Sequence, residues 1–197
     1  LAQLGAKVGI LDGDVYGRRI ASDGNLLGVG ATPVAQFSFF RDRPAIASDG
    51  DEYLVVWSED RGADLELAGM RVTRAGVLRD SIPTGTRLTT TAGSQVSPVI
   101  AYGSGGYTIV WQDVAGANAT SDIRAGRIDT APMAMSITNG NVAVSNAVGV
   151  QSRPEIAFDG ATFMAVWEDW RDGSQPDVYA NRLRVVSGQL DVRDGDG

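Results

Sequence analysis

In "EYLVVWSEDR", residues 52–61, Tyr53, Val55 and Trp57 fall on one side of an extended chain and Leu54 and Val56 on the other. Both sets are apolar. A strand with one wet face alternates apolar with polar residues, so this stretch predicts a strand buried on both faces. It recurs as "GYTIVWQDVA" from Gly106 and "TFMAVWEDWR" from Thr162. No segment spaces its apolar residues at a helical period, and the pattern predicts an all-β chain.

Two further elements repeat with it. Pro44, Pro98 and Pro154 open "PAIASDG", "PVIAYGS" and "PEIAFDG" at the same intervals that separate Trp57, Trp111 and Trp167. A third strand, "DVYGRRI" from Asp14, returns as "ELAGMRV" from Glu66, "DIRAGRI" from Asp122 and "DVYANRL" from Asp177, four copies against three of the others. With a fourth run such as "TRLTTT" or "NVAVSN", each unit predicts four strands in about 55 residues, punctuated by turn residues. Four-stranded sheets stacked around an axis bury both faces of their inner strands, which predicts a β-propeller of about 3.5 to 4 blades, with units at approximately 1–40, 41–94, 95–150 and 151–197. A β-solenoid and an irregular sandwich are the alternatives. The unequal copy numbers leave closure open. Either "AKVGIL", residues 6–11, is a shortened Trp strand of a degenerate first blade in a compact four-bladed ring, or the chain is a piece of a longer propeller, or two chains complete one ring.

The core "YLVVW-x-D-x-R" with the following "D-V/I-Y-G-x-R-V" strand resembles the propeller-type repeats that occur in arrays within large secreted and surface proteins of bacteria. The resemblance runs from Asp12 to Leu190, and the third unit departs most, with "YGSGG" for "DG" and "RAG" for "YGR". It implies an extracellular or cell-surface setting, with glycans or surface proteins as partners. "RPEIAFDG" is similar to the start of sialidase-like propellers, whose Asp-box is matched in no unit.

Composition removes several chemistries. The 197 residues contain neither His nor Cys, which rules out a Ser-His-Asp triad, a thiol nucleophile, disulfides and a conventional zinc site. A net charge of -7 opposes binding to a phosphate backbone, so nucleic acid is not an expected partner. No stretch approaches the roughly 20 consecutive apolar residues of a membrane helix, and membrane insertion is not expected. The sequence starts at Leu1, as in a mature or trimmed chain.

The three repeated tryptophans are expected to pack between sheets. Trp170 differs: it stands in a polar loop of the last unit only, beside Asp169, Arg171 and Asp172, and makes a candidate platform for a sugar ring. Arg19, Arg71, Arg127 and Arg182 share one position, and with the acids after the Trp strands, Asp60, Asp113 and Asp169, they predict structural Arg–carboxylate pairs; the alternative is an arginine ring around a central channel, binding an anion. Clustered aspartates in "DGD", residues 12–14, "SDGDE", residues 48–52, and "DVRDGDG", residues 191–197, supply hard oxygen ligands. Asp12, Asp14, Asp191, Asp194 and Asp196 are therefore candidate calcium ligands, although Asp-Gly is also the commonest tight hairpin turn. "NAT", residues 118–120, has the pattern of a glycosylation sequon.

These features lead to the expectation of a non-catalytic binding or scaffold module, adhesive or carbohydrate-binding. The alternative is a carbohydrate-active hydrolase using paired carboxylates drawn from Glu59, Asp60, Asp113, Glu168, Asp169 and Asp172.

Overall fold

The computed structural model describes residues 2–9, 12–36, 39–62, 64–80, 84–115, 120–130 and 135–195, excepting the side chains of 2–9, 12, 115 and 139. These residues form four antiparallel meanders. The first contains β1 (Ala2–Gly9), β2 (Asp12–Ile20) and β3 (Leu26–Ala35); the second β4 (Arg41–Ser48), β5 (Glu52–Asp60), β6 (Leu65–Thr73) and β7 (Thr86–Arg87). The third contains β8 (Ser94–Gly103), β9 (Gly106–Ala115), β10 (Thr120–Asp129) and β11 (Ser136–Ser145); the fourth β12 (Gln151–Phe158), β13 (Phe163–Asp169), β14 (Asp177–Val186) and β15 (Gln189–Val192).

Turn chemistry explains the hairpins between the first two strands of each full sheet. Asp49 Oδ1 accepts the amides of Asp51 and Glu52 at 2.9 and 2.8 Å, and Asp159 Oδ1 accepts those of Ala161 and Thr162 at 2.8 and 2.7 Å. The third unit's "YGSGG" reaches the same result differently. Ser104 and Gly105 both have positive φ, 49° and 73°, between the paired Gly103 and Gly106, as a two-residue type I′ turn requires.

The repeated prolines do not open their strands. Each sits inside a β-bulge three or four residues after the strand begins, where the register slips between Asp42 and Ala45, Val96 and Val99, and Ser152 and Glu155. Proline has no N–H to give a ladder, and a bulge is where none is required. The preceding residues, Arg43, Ser97 and Arg153, all take left-handed φ values of 52°, 54° and 52°.

Each sheet lays its tryptophan-bearing face on the preceding sheet. Val55 and Trp57 pack on Val15, Val34 and Ala35 of the first sheet; Ile109 and Trp111 pack on Leu54, Val56 and Leu67 of the second. Phe163, Ala165 and Trp167 pack on Val110, Ile123 and Ala125 of the third. All three tryptophans are buried.

β1 stands in the place of a Trp strand: Gly5 lies opposite Tyr16 as Trp57 lies opposite Ala68. It runs from Ala2 rather than from Ala6, and Ile10 and Leu11 lie outside the described residues. Among the described residues the first sheet has no counterpart of the Pro strand, and the fourth sheet does not pack against the first. The arrangement is therefore an open, propeller-like arc, and of the three alternatives for closure the compact four-bladed ring does not form. Its physical basis is that, among the described residues, three sheet-to-sheet interfaces form between four sheets and the last sheet does not pack against the first.

Candidate functional site

The three bulges converge. Residues 43–45, 97–99 and 153–155, from the first strands of successive sheets, line one cavity of about 440 Å3 on the inner side of the arc. Left-handed backbone is uncommon outside glycine, and the same conformation in all three bulges fixes how residues 43, 97 and 153 leave the strand. The fold repeats while the chemistry does not: these positions hold Arg43, Ser97 and Arg153, and two residues on stand Ala45, Val99 and Glu155.

Arg153 donates from Nη1 to Glu168 Oε1 at 3.1 Å, across the bulge from the neighbouring strand. Arg43 has a looser partner, with Nε 3.6 Å from Asp42 Oδ2. Glu155 lines the cavity, is exposed, and its carboxylate has no protein partner among the described residues. The cavity thus offers an uncommitted carboxylate and two guanidinia, and one of these, Arg153, ties a second carboxylate, Glu168, to the cavity's edge.

The other acids after the Trp strands play a different part. Trp57 Nε1 donates to Glu59 Oε2 at 3.1 Å, and Trp167 Nε1 to Asp169 Oδ2 at 3.0 Å. Both acids are fully enclosed and also hold the arginine two residues on: Arg61 pairs with Glu59, and Arg171 Nη2 with Asp169 Oδ2 at 2.8 Å. The first strand adds Arg41, whose Nε lies 3.3 Å from Glu59. In the third sheet Asp113 accepts from Gln95 Nε2 at 3.1 Å, and Ala115 stands where the arginine would be. Burial pushes the Asp169 carboxyl up, but the hydrogen bonds from Arg171 and the Trp167 indole outweigh it and hold the group below the usual carboxylate range. These acids are braces between strand and loop.

Of the loop cluster, Asp169 is therefore inside and fully engaged, and Arg171 stacks over Tyr179 with Cζ 3.8 Å from the ring centroid. Trp170 is 38% exposed and Asp172 is exposed, while the Trp170 amide donates to Val150 O at 2.9 Å. Counted from the preceding tryptophan, Trp170 occupies the place of Asp60 and Val114.

The four repeated arginines stand on β2, β6, β10 and β14, away from the cavity. Their carboxylates come from the outer edge rather than from the acids after the Trp strands: Arg71 Nε donates to Asp80 Oδ1 at 3.0 Å and Arg182 Nη2 to Asp194 Oδ1 at 2.6 Å. Arg127 binds the carbonyls of Gly103 and Ser104 at 3.1 and 3.2 Å, and burial lowers its pKa. Arg19 Nη1 donates to Arg74 O at 3.0 Å. Cavity-lining arginines exist, but they are Arg43 and Arg153.

Among the described residues no three acidic side chains gather as a metal site would require. Asp14 lies 3.8 Å from Arg41, Asp191 accepts from Arg193 at 2.8 Å, and Asp194 is held by Arg182. The Asp12 side chain and Asp196 lie outside the described residues, as do positions 118 and 119 of the sequon. Reading from sequence passed over Arg43, Arg153 and Glu155. Their signal was available as the one variable pair of positions flanking each invariant proline.

No family model matches the chain, and no curated protein does. Solved structures do match, on fold. A thermostable family-43 glycoside hydrolase aligns over 97% of this chain and 74% of its own, with a TM-score of 0.60 at 12% identity. The arc is similar in fold to that enzyme. An endo-arabinase from Bacteroides thetaiotaomicron aligns over 98% of this chain and 75% of its own (TM-score 0.57, 11% identity), and an α-L-arabinanase from Cellvibrio cellulosa over 99% and 74% (TM-score 0.56, 13% identity). At such identities the likeness is one of fold. The expectation of a non-catalytic scaffold is corrected in favour of its alternative by these matches, since the solved structures that share the fold are named as glycoside hydrolases.

Proposed function

We propose that the chain is a carbohydrate-active hydrolase of propeller architecture, with its site at the cavity formed by the three proline bulges. The observation that carries this reading is the asymmetry of the cavity. One sheet of three brings an uncommitted carboxylate, Glu155, and a paired one, Glu168 on Arg153, to the same bulge. A single active site needs one repeat to differ from the others, and the fourth unit does.

Glycosidic cleavage uses two carboxyl groups about the scissile bond: one protonates the leaving oxygen, and the other attacks the sugar or activates a water. Glu155 and Glu168 are assigned to this pair, with Arg153 as the positioning residue for Glu168. Trp170 and Asp172, on the loop that follows the Glu168 strand, would hold a more distant part of the glycan. The hydrolase names of the structural neighbours support the reaction class.

The test is turnover of chromogenic glycosides, both furanosides and pyranosides, and of arabinan, by the native chain and by Glu155→Gln and Glu168→Gln. Native turnover should fall about 10²- to 10⁴-fold in each variant. Turnover unaffected by both substitutions, or absent from the native chain on every substrate, sinks the assignment.

A further inference from the structure

On the strand that follows the Trp strand, or β1 in the first sheet, one position faces the next sheet in each of the first three sheets. Val15, Leu67 and Ile123 occupy it in the first three sheets and are 1%, 0% and 0% exposed. Val178 occupies it in the fourth and is 78% exposed. The second strand repeats the contrast, with Leu54 and Thr108 at 0% and Met164 at 44%. A face that three times buries its apolar residues under a neighbouring sheet stands open the fourth time, with Val186 exposed beside it.

A polar feature of the inter-sheet contacts says what fits there. Arg19 of the first sheet donates from Nη1 to the carbonyl of Arg74 in the next sheet, at 3.0 Å, and Arg71 of the second donates from Nη1 to the carbonyl of Thr130 in the third, also at 3.0 Å. Aligned on the third-strand repeat, Arg74 and Thr130 hold the same position, two residues beyond Val72 and Ile128. In the first sheet that position, two beyond Ile20, is Ser22. Arg182 repeats the donor in the fourth sheet: its Nε and Nη2 are on Asp194, and its Nη1 makes no bond among the described residues. Arg182, Arg184 and Arg193 with Thr162 line a recess of about 180 Å3, and Arg184 has no partner among the described residues. Next to Ser22 stands Asp23, exposed and, among the described residues, bonded only to Asn25. Among the described residues, the first sheet's face turned away from the second sheet, which carries Tyr16 and Ile20, is covered by no other sheet.

We propose that the open face of the fourth sheet is an interface for the first sheet of a second copy of this chain. Val178 and Met164 are covered by the partner copy's first sheet, Arg182 donates to the partner's Ser22 carbonyl, and Asp23 of the partner copy enters the arginine recess. The contact joins unlike faces, so two copies related by a two-fold axis make it twice and close into one ring. The inference stands on these faces and not on the assignment of the cavity.

Sedimentation velocity and light scattering across a concentration series test it. The native chain should give a species of twice the 20.7 kDa chain mass. Val178→Asp and Arg184→Asp should each shift dissociation to at least about tenfold higher concentration, with an unchanged circular dichroism spectrum and a melting temperature equal to that of the native chain diluted to monomer. Asp23→Arg should weaken the dimer alike, and combining it with Arg184→Asp should restore it. A native chain that stays monomeric, an open polymer, or a dimer indifferent to all three substitutions overturns the proposal. A monomer would leave the face to a further sheet of the same repeat.

Discussion

Trp167 Nε1 and Asp169 Oδ2 lie 3.0 Å apart, and Trp57 and Glu59 repeat the bond at 3.1 Å. The indole fills the space between two sheets and spends its one polar atom on an acid that also anchors the loop arginine. Packing and loop position are thereby joined in one side chain. Trp167→Phe keeps most of the packing and removes the donor, so it should destabilise by about 1–3 kcal/mol. Trp57→Ala removes both and should cost about 3–5 kcal/mol. Urea unfolding followed by circular dichroism measures each, and a Trp167→Phe loss near zero would show that the hydrogen bond contributes nothing.

Acid should attack the same brace. Asp169 has a lower pKa folded than the ordinary carboxylate value, so the stability it contributes is complete above about pH 4 and is lost as pH falls through the folded value. Asp194, which Arg182 lowers to about 2, follows the same sign at the surface. Asp169→Asn should be less stable than the native chain at pH 7 and should show a flatter acid limb when unfolding is repeated from pH 7 to pH 2. An acid limb as steep as the native one would assign the loss to other carboxylates.

The architecture was legible because a strand with both faces apolar admits few arrangements, and its repetition counts the sheets. The brace was only half legible. Residues two apart share a face of a strand, so Glu59, Asp113 and Asp169 were the acids to align with Trp57, Trp111 and Trp167; choosing Asp60 takes the next residue, which points away. Nothing in local sequence revealed that Pro44, Pro98 and Pro154 mark bulges, because the slip shows only once the neighbouring strand sets the register. The cavity residues Arg43, Arg153 and Glu155 could be picked out as variable positions flanking the prolines, but not as neighbours in one cavity, for the same reason.

Gly85 tests how tightly the outer edge closes on the core. Its φ is 79°, and a Cβ there would lie 2.5 Å from Trp57 Cζ2 and 3.0 Å from Gly69 O. Gly85→Ala therefore suffers both strain and overlap and should lose about 2–4 kcal/mol, more than the ordinary cost of a left-handed alanine. Gly188, with φ 81° and no heavy atom near a built Cβ, separates the two effects. Gly188→Ala should lose only about 1–2 kcal/mol. Similar losses at the two sites would mean that Trp57 yields and the edge is not closely packed.

Trp170 and Trp167 stand three residues apart with opposite surroundings: one indole is enclosed against the third sheet, and the other is 38% exposed with Asp172 nearby in the chain. If the loop holds glycan, the exposed ring supplies an apolar platform and Asp172 accepts from hydroxyls, the division of labour usual in small-ligand sites. Oligosaccharide titration followed by intrinsic fluorescence should then show saturable binding that Trp170→Ala weakens about tenfold or more, with Asp172→Asn weakening it less. Because Trp170 lies outside the buried clusters, Trp170→Ala should leave the melting temperature nearly unchanged, which separates a contact with ligand from a contribution to packing. Unchanged affinity with a lowered melting temperature would make Trp170 a packing residue, and the glycan would have to be held by the cavity alone.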